Sequence, residues 1–173
     1  MNLACTMAPG RGDTDLLLER LASRLSVRGA RCVGTVQINT ERADTRPCDM
    51  DVRVLPDGPV LRISQDRGPE ARGCRLDADA LETAVAHVAA RLSAGADLLI
   101  VNKFGKHEAE GRGFREVMAT AVDLNVPVLV GLNGLNRDAF EAFSGGAARQ
   151  VAPDLTSLES WAVSVVASEL VDI

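Results

Sequence analysis

A chain of 173 residues with 46% hydrophobic and 3% aromatic residues is long enough for one sizeable core of Leu, Val, Ile and Ala, and too apolar for disorder. A net charge of −5 excludes a general nucleic-acid binder, which needs a basic face against phosphate, and the few aromatics exclude a base-stacking platform. No apolar run approaches the roughly 20 residues of a membrane span, and the N-terminus lacks the basic-then-apolar pattern of a signal peptide; the expectation is a cytoplasmic protein with a single domain over residues 1–173.

In chain order, residues 2–8 read as a strand and 14–28 as a helix. Leu17, Leu18, Leu21, Ala22 and Leu25 recur at helical spacing, and Gly29 is placed to stop the helix. Asp13 is a candidate N-cap for it. Residues 32–38 form a second apolar strand, followed by a polar loop over 39–49. The runs 50–55 and 60–64 alternate apolar and polar residues around Pro56-Asp57-Gly58-Pro59, the signature of a hairpin. A second polar loop covers 65–74.

Residues 78–94 read as a helix whose Asp79 and Glu82 fit a capping box. Leu98 to Val101 is a continuous apolar run, as in a strand covered on both faces. A helix over 112–124 and a buried strand over 126–132 follow. Asn136 is placed to cap a short helix through Phe140 and Phe143, Val151 marks a last short strand, and Asp154 caps a closing helix. Alternating strands and helices predict right-handed crossovers and an α/β fold with a mostly parallel sheet, with the hairpin as an antiparallel add-on. Ligands of open α/β sheets bind beyond the carboxyl ends of the strands. That rule gathers the loop at Gly10, the 39–49 loop, Asn102 to Glu108 and Asn133-Gly134 on one rim.

Four groups of residues on or near that rim carry chemistry. Gly10, Arg11, Gly12, Asp13, Thr14 and Asp15 form a glycine-rich turn from strand to helix, where backbone N–H groups and the helix N-terminus favour an anion. A phosphate-binding loop carries a lysine for the terminal phosphates and a Ser/Thr for magnesium; here Asp13 and Thr14 occupy those places. The turn therefore reads either as an anion cradle or as a plain β–α junction. Second, Asn102, Lys103, Lys106 and Glu108 leave the end of a central strand, and the lysines can supply the charge missing from the first loop. Third, Asp49, Asp51 and Arg53 share one face of a strand and suit either a ligand or a solvated edge. Fourth, Cys48, Cys74 and Arg72 would make a thiolate site if their loops meet. Cys5 and Cys32 read as small buried hydrophobes, and His107 is the histidine placed on the rim. Two thiols fall short of a zinc site, so no dedicated metal site is expected.

The order of these segments resembles the small P-loop nucleoside-triphosphatase family of the thermophilic and cancer-related type. The counterparts are Pro9-Gly10-Arg11-Gly12, Thr40-Glu41-Arg42, Asp49-Met50-Asp51, Arg75-Leu76-Asp77, and Leu99-Ile100-Val101 followed by Gly105-Lys106-His107-Glu108. The chain is most similar to a bacterial subfamily with degenerate Walker A and B motifs, sometimes associated with molybdate uptake or molybdenum enzymes. The resemblance implies a three-layer P-loop NTPase-like fold. It implies a small anionic ligand, a nucleotide or an oxyanion, held by residues 10–14 with Lys103, Lys106 and Arg11 as counter-charges, and weak or absent hydrolysis. Two alternatives stay open. One is a hydrolase with rearranged groups, in which Glu108 is the base and Thr14 or Asp15 binds Mg2+ with the nucleotide; the other is an accessory protein of molybdenum metabolism. No membrane or nucleic-acid partner is implied, and the oligomeric state is open.

Overall fold

The computed structural model describes residues 2–40, 48–66 and 75–166. Cys74 and Arg72, and the charged stretch Glu41 to Pro47, lie outside the described residues.

The strands are β1 (Leu3–Thr6), β2 (Cys32–Thr40), β3 (Asp49–Leu55), β4 (Val60–Arg62), β5 (Leu98–Val101), β6 (Val128–Gly131) and β7 (Arg149–Gln150). The helices are α1 (Asp13–Val27), α2 (Ala78–Ser93), α3 (Lys106–Ala109), α4 (Arg115–Asp123), α5 (Arg137–Ser144) and α6 (Leu155–Val166). The sheet runs β4-β3-β2-β5-β6-β1-β7. β2, β5, β6, β1 and β7 pair in parallel, whereas β3 pairs antiparallel with β2 and with β4. The hairpin is thus an antiparallel extension on one side of a parallel sheet, as its turn residues predict.

Two apolar layers cover the two faces. On one, Leu18, Leu21 and Leu25 of α1 and Leu158, Trp161 and Ala162 of α6 pack on Ala4, Val36, Ile100 and Leu129. On the other, Leu81 and Val88 of α2, Val117 and Met118 of α4 and Phe140 of α5 pack on Val33, Val52, Leu99, Val101 and Val130. Strands clothed on both faces need no polar alternation, which is why β5 and β6 read as continuous apolar runs. The fold is the expected three-layer α/β/α arrangement. Cys32 lies in the α1 layer, and burial pushes its thiol up to about 12, so it stays neutral and behaves as a small hydrophobe.

Several local expectations are corrected. α2 is capped by Asp77, whose Oδ1 accepts from the N–H of Ala80 at 3.0 Å. Asp79 sits within the first turn, and Glu82 points elsewhere. The helix expected over 112–124 is shorter, Arg115–Asp123, with a separate turn of helix before it. Gly113 breaks the two apart: it has φ +60°, and a Cβ there would fall 2.3 Å from Glu108 Oε1. Asn136 stands at the N-cap position of α5 as expected, but its side chain makes no cap bond; Asn133 caps the preceding 3-10 turn over Gly134–Asn136, accepting from the Asn136 N–H at 3.2 Å. Asp13 is the first residue of α1 and not its cap; Gly12 takes that position with φ +82° and no side-chain bond. Asp154 does cap α6, accepting from the Ser157 N–H at 2.8 Å.

Candidate functional site

The β1–α1 turn leaves the rim as a tight loop whose geometry follows from Gly12. A left-handed φ there is nearly free for glycine and strained for other residues. The N–H of Leu16 bonds Gly12 O at 3.2 Å, the N–H of Asp13 reaches Gly10 O at 3.4 Å, and the N–H of Ala8 bonds Thr14 Oγ1 at 3.0 Å. Among the described residues, the N–H groups of Gly10, Arg11, Gly12, Thr14 and Asp15 have no protein acceptor. Such a run of free amides at a helix start attracts negative charge. The Asp13 carboxylate lies over the same loop, since a Cβ built on Gly10 would fall 2.0 Å from Asp13 Oδ2.

Beside this loop stands a network of side-chain amides around Asp15. Its Oδ1 accepts from Asn102 Nδ2 at 2.7 Å, and its Oδ2 accepts from Asn39 Nδ2 at 2.7 Å and Gln37 Nε2 at 3.4 Å. Asn102 Oδ1 in turn accepts from the N–H of Gln37 at 2.9 Å. Asn102 is buried, and it is held from both sides: its oxygen faces a backbone donor, so its NH2 faces the carboxylate. The amides bridge α1, β2 and the end of β5. Gln37 and Asn39 escaped the sequence reading because polar residues at the end of a strand are ordinary. Their spacing of two, on one face of β2, was the available signal.

The segment after β5 is differently built. Glu108 is 3% exposed, with Oε2 accepting from the Gly105 N–H at 2.9 Å and Oε1 from the Phe114 N–H at 3.3 Å. It clasps the two ends of the α3 turn. His107 is buried too, with Nε2 2.7 Å from Glu82 Oε1, and that same oxygen accepts from the Gly113 N–H at 3.0 Å. Lys103 and Lys106 are exposed. Lys106 Nζ lies 3.6 Å from Glu110 Oε1, an exposed pair of little weight. Arg112 bonds Glu110, and that hydrogen bond holds the Glu110 carboxyl below its ordinary range.

Arg11, Asn102, Lys103, Lys106 and Glu108 line one cavity of about 420 Å³. The lysines past the middle strand and the arginine of the first loop therefore face the same space. Gly10, Gly12, Asp13, Thr14 and Asp15 flank it without lining it.

Asp49, Asp51 and Arg53 do not line this cavity. Asp49 and Asp51 both meet Arg62 of β4, and Arg53 Nη2 lies 3.4 Å from Glu19 Oε1. The shared face of β3 is thus neutralised by an arginine on the neighbouring strand, an arrangement of a charged sheet side. Cys48 lines the cavity, and its carbonyl accepts from Arg75 Nη2 at 2.9 Å. That bond brings the two polar loops together at their described ends. Among the described residues no three His, Cys, Asp or Glu side chains converge to hold a metal ion, and no helix is long and apolar enough to cross a membrane.

Comparison with known proteins bears on the family and the fold. The pattern of a family described as "Protein of unknown function (DUF2478)" matches residues 3–161. The Molybdenum import ATP-binding protein ModC 2 of Bradyrhizobium diazoefficiens is 34% identical over 149 residues, 86% of this chain and 17% of that protein. The chain therefore spans less than a fifth of that relative. The solution structure of a human cancer-related nucleoside triphosphatase superposes with a TM-score of 0.61 and 16% identity, covering 96% of each chain. That likeness is one of fold. By sequence the chain belongs to the DUF2478 family, and by architecture it is a P-loop NTPase-like α/β protein.

Proposed function

We propose that this protein binds a nucleotide or a related oxyanion at the β1–α1 turn and hydrolyses it weakly or not at all. The observation that carries the reading is the run of free amides at Gly10, Arg11, Gly12, Thr14 and Asp15, placed beside a cavity that Arg11, Lys103 and Lys106 line. Amides position the anion, and the side chains offset its charge.

Two residues set the limit on hydrolysis. Asp13 stands where a phosphate-binding loop has its lysine, and its carboxylate over Gly10 repels the same anion that the amides attract. Asn102 stands where a magnesium-holding aspartate is needed; it is committed to Asp15 and Gln37 and offers no charged oxygen. In this reading Glu108 is a positioning residue, because both its oxygens already hold backbone N–H groups.

A thermal-shift screen with nucleoside triphosphates with and without Mg2+, phosphate, sulfate, molybdate and tungstate tests the reading. Molybdate and tungstate belong in it because a relative carries a molybdenum-import name. A ligand at a hundred times its dissociation constant stabilises by about 2.7 kcal/mol. Lys103→Ala and Lys106→Ala weaken binding, and Asp13→Lys strengthens it. A flat screen, or affinities unmoved by all three substitutions, overturns the proposal.

The fold shared with a nucleoside triphosphatase favours hydrolysis as a second reading. Phosphate release measured with Mg2+ separates the two. Turnover that Glu108→Gln abolishes, in a protein that still folds, would make Glu108 the base.

A further inference from the structure

We infer that the cavity beside the glycine turn binds an organic anion with a flat apolar body, its charged group at the rim and its body on the hairpin side. The walls divide by chemistry. Among the described residues, Arg11, Arg75, Lys103 and Lys106 bring four cations to the cavity against one lining carboxylate, Glu108, whose oxygens are both occupied by backbone N–H groups. This is a local excess of positive charge in a chain of net charge −5.

The same cavity has an apolar floor: Met50 and Val52 of β3, Ile63, Leu76, Leu81 of α2 and Phe114. Val52, Ile63, Leu81 and Phe114 belong to the buried core, so the floor is rigid, while Met50 is partly exposed and adaptable. Water against such a floor has few hydrogen-bond partners, and an apolar ring that displaces it gains from the burial. A volume of about 420 Å³ falls in the usual range of small-molecule sites, roughly 300–1,000 Å³. A bare oxyanion fills the rim and leaves the floor wet. The ligand class that matches both halves is a phosphorylated or carboxylated aromatic or heterocycle.

This inference rests on the anion-binding reading only for the cations that the two share; the loop amides are not needed for it. The test is calorimetric titration of the full chain with 1-naphthyl phosphate, inorganic phosphate and ATP. The wild-type protein is expected to bind 1-naphthyl phosphate at least about tenfold more tightly than inorganic phosphate. Met50→Trp and Leu76→Trp, both at partly exposed positions, fill the floor, and each removes that preference while inorganic phosphate binds as before. Two variants guard against one of them misfolding. Equal affinity for the two phosphates, no binding of 1-naphthyl phosphate, or a preference that survives both substitutions overturns the inference. Failure of ATP and inorganic phosphate to bind while 1-naphthyl phosphate binds overturns the reading at the turn and leaves this one standing.

Discussion

Two turns leave the same end of the sheet, one after β1 and one after β5, and they treat their backbone donors in opposite ways. After β5, Glu108 holds the N–H groups of Gly105 and Phe114, and Glu82 holds Gly113 while pairing with His107. After β1, five N–H groups in and beside the turn go without a protein acceptor among the described residues. Donors buried away from water are nearly always paired, as those held by Glu108 are, whereas the open donors after β1 belong to exposed or half-buried residues. The contrast sets a closed turn beside an open one.

The largest expected effect is at the closed turn. Glu108→Ala leaves two N–H groups facing a methyl, at roughly 1–3 kcal/mol each, so urea unfolding falls by about 4 kcal/mol. Glu108→Gln keeps one acceptor oxygen and loses about half as much. A loss under about 1 kcal/mol for the alanine variant would break the comparison, because Glu108 would then be free to do something else.

Next comes the amide network. Asn102→Asp sets a second carboxylate where Nδ2 now lies 2.7 Å from Asp15 Oδ1. Like charges that close destabilise the fold by about 2 kcal/mol at neutral pH. The pair takes up a proton more readily folded than unfolded, so its folded pKa is raised. The penalty therefore grows as pH rises through the carboxylate range and fades in acid. Added Mg2+ relieves it if a cation can enter, which a melting curve with and without the ion reports.

Smaller effects belong to the open turn. Asp13→Lys replaces repulsion by attraction and tightens ATP binding about tenfold, or about 1.4 kcal/mol, by calorimetry. Gly12→Ala meets no atom closer than Asn39 Nδ2 at 3.8 Å, so it carries only the left-handed strain of about 1 kcal/mol, read from urea unfolding. The small value against the large one at Glu108 is the sharpest form of the contrast.

Much of the architecture is legible in the residues alone. Leu18, Leu21, Ala22 and Leu25 betray the buried side of α1, and the apolar runs of β5 and β6 betray strands covered twice. Where the reading slips, local signals compete. Asp77 and Asp79 both precede α2, and only the fold decides that the earlier one caps while Glu82 turns to His107. Gly113 stands inside the stretch read as one helix, and its positive φ separates Arg115–Asp123 from the turn before it. The site is half legible. Arg11, Lys103 and Lys106 do line one cavity, as topology predicts, but the hold of Asn102 on Asp15 joins residues 87 positions apart. Glu108 reads as a candidate base in sequence; that its oxygens hold the N–H groups of Gly105 and Phe114 depends on a turn that only the fold closes.

The sheet ends on two very short strands, three residues in β4 and two in β7. The first lies in a hairpin turned by Pro56 and Pro59 and carries Arg62; the second is Arg149 and Gln150. Neither offers a stretch of ladder on which another polypeptide could template itself. Concentrated solutions of this protein should therefore stay free of thioflavin-positive fibres while the native fold persists, and the same blunt borders let the unit sit within a longer polypeptide without recruiting its neighbours.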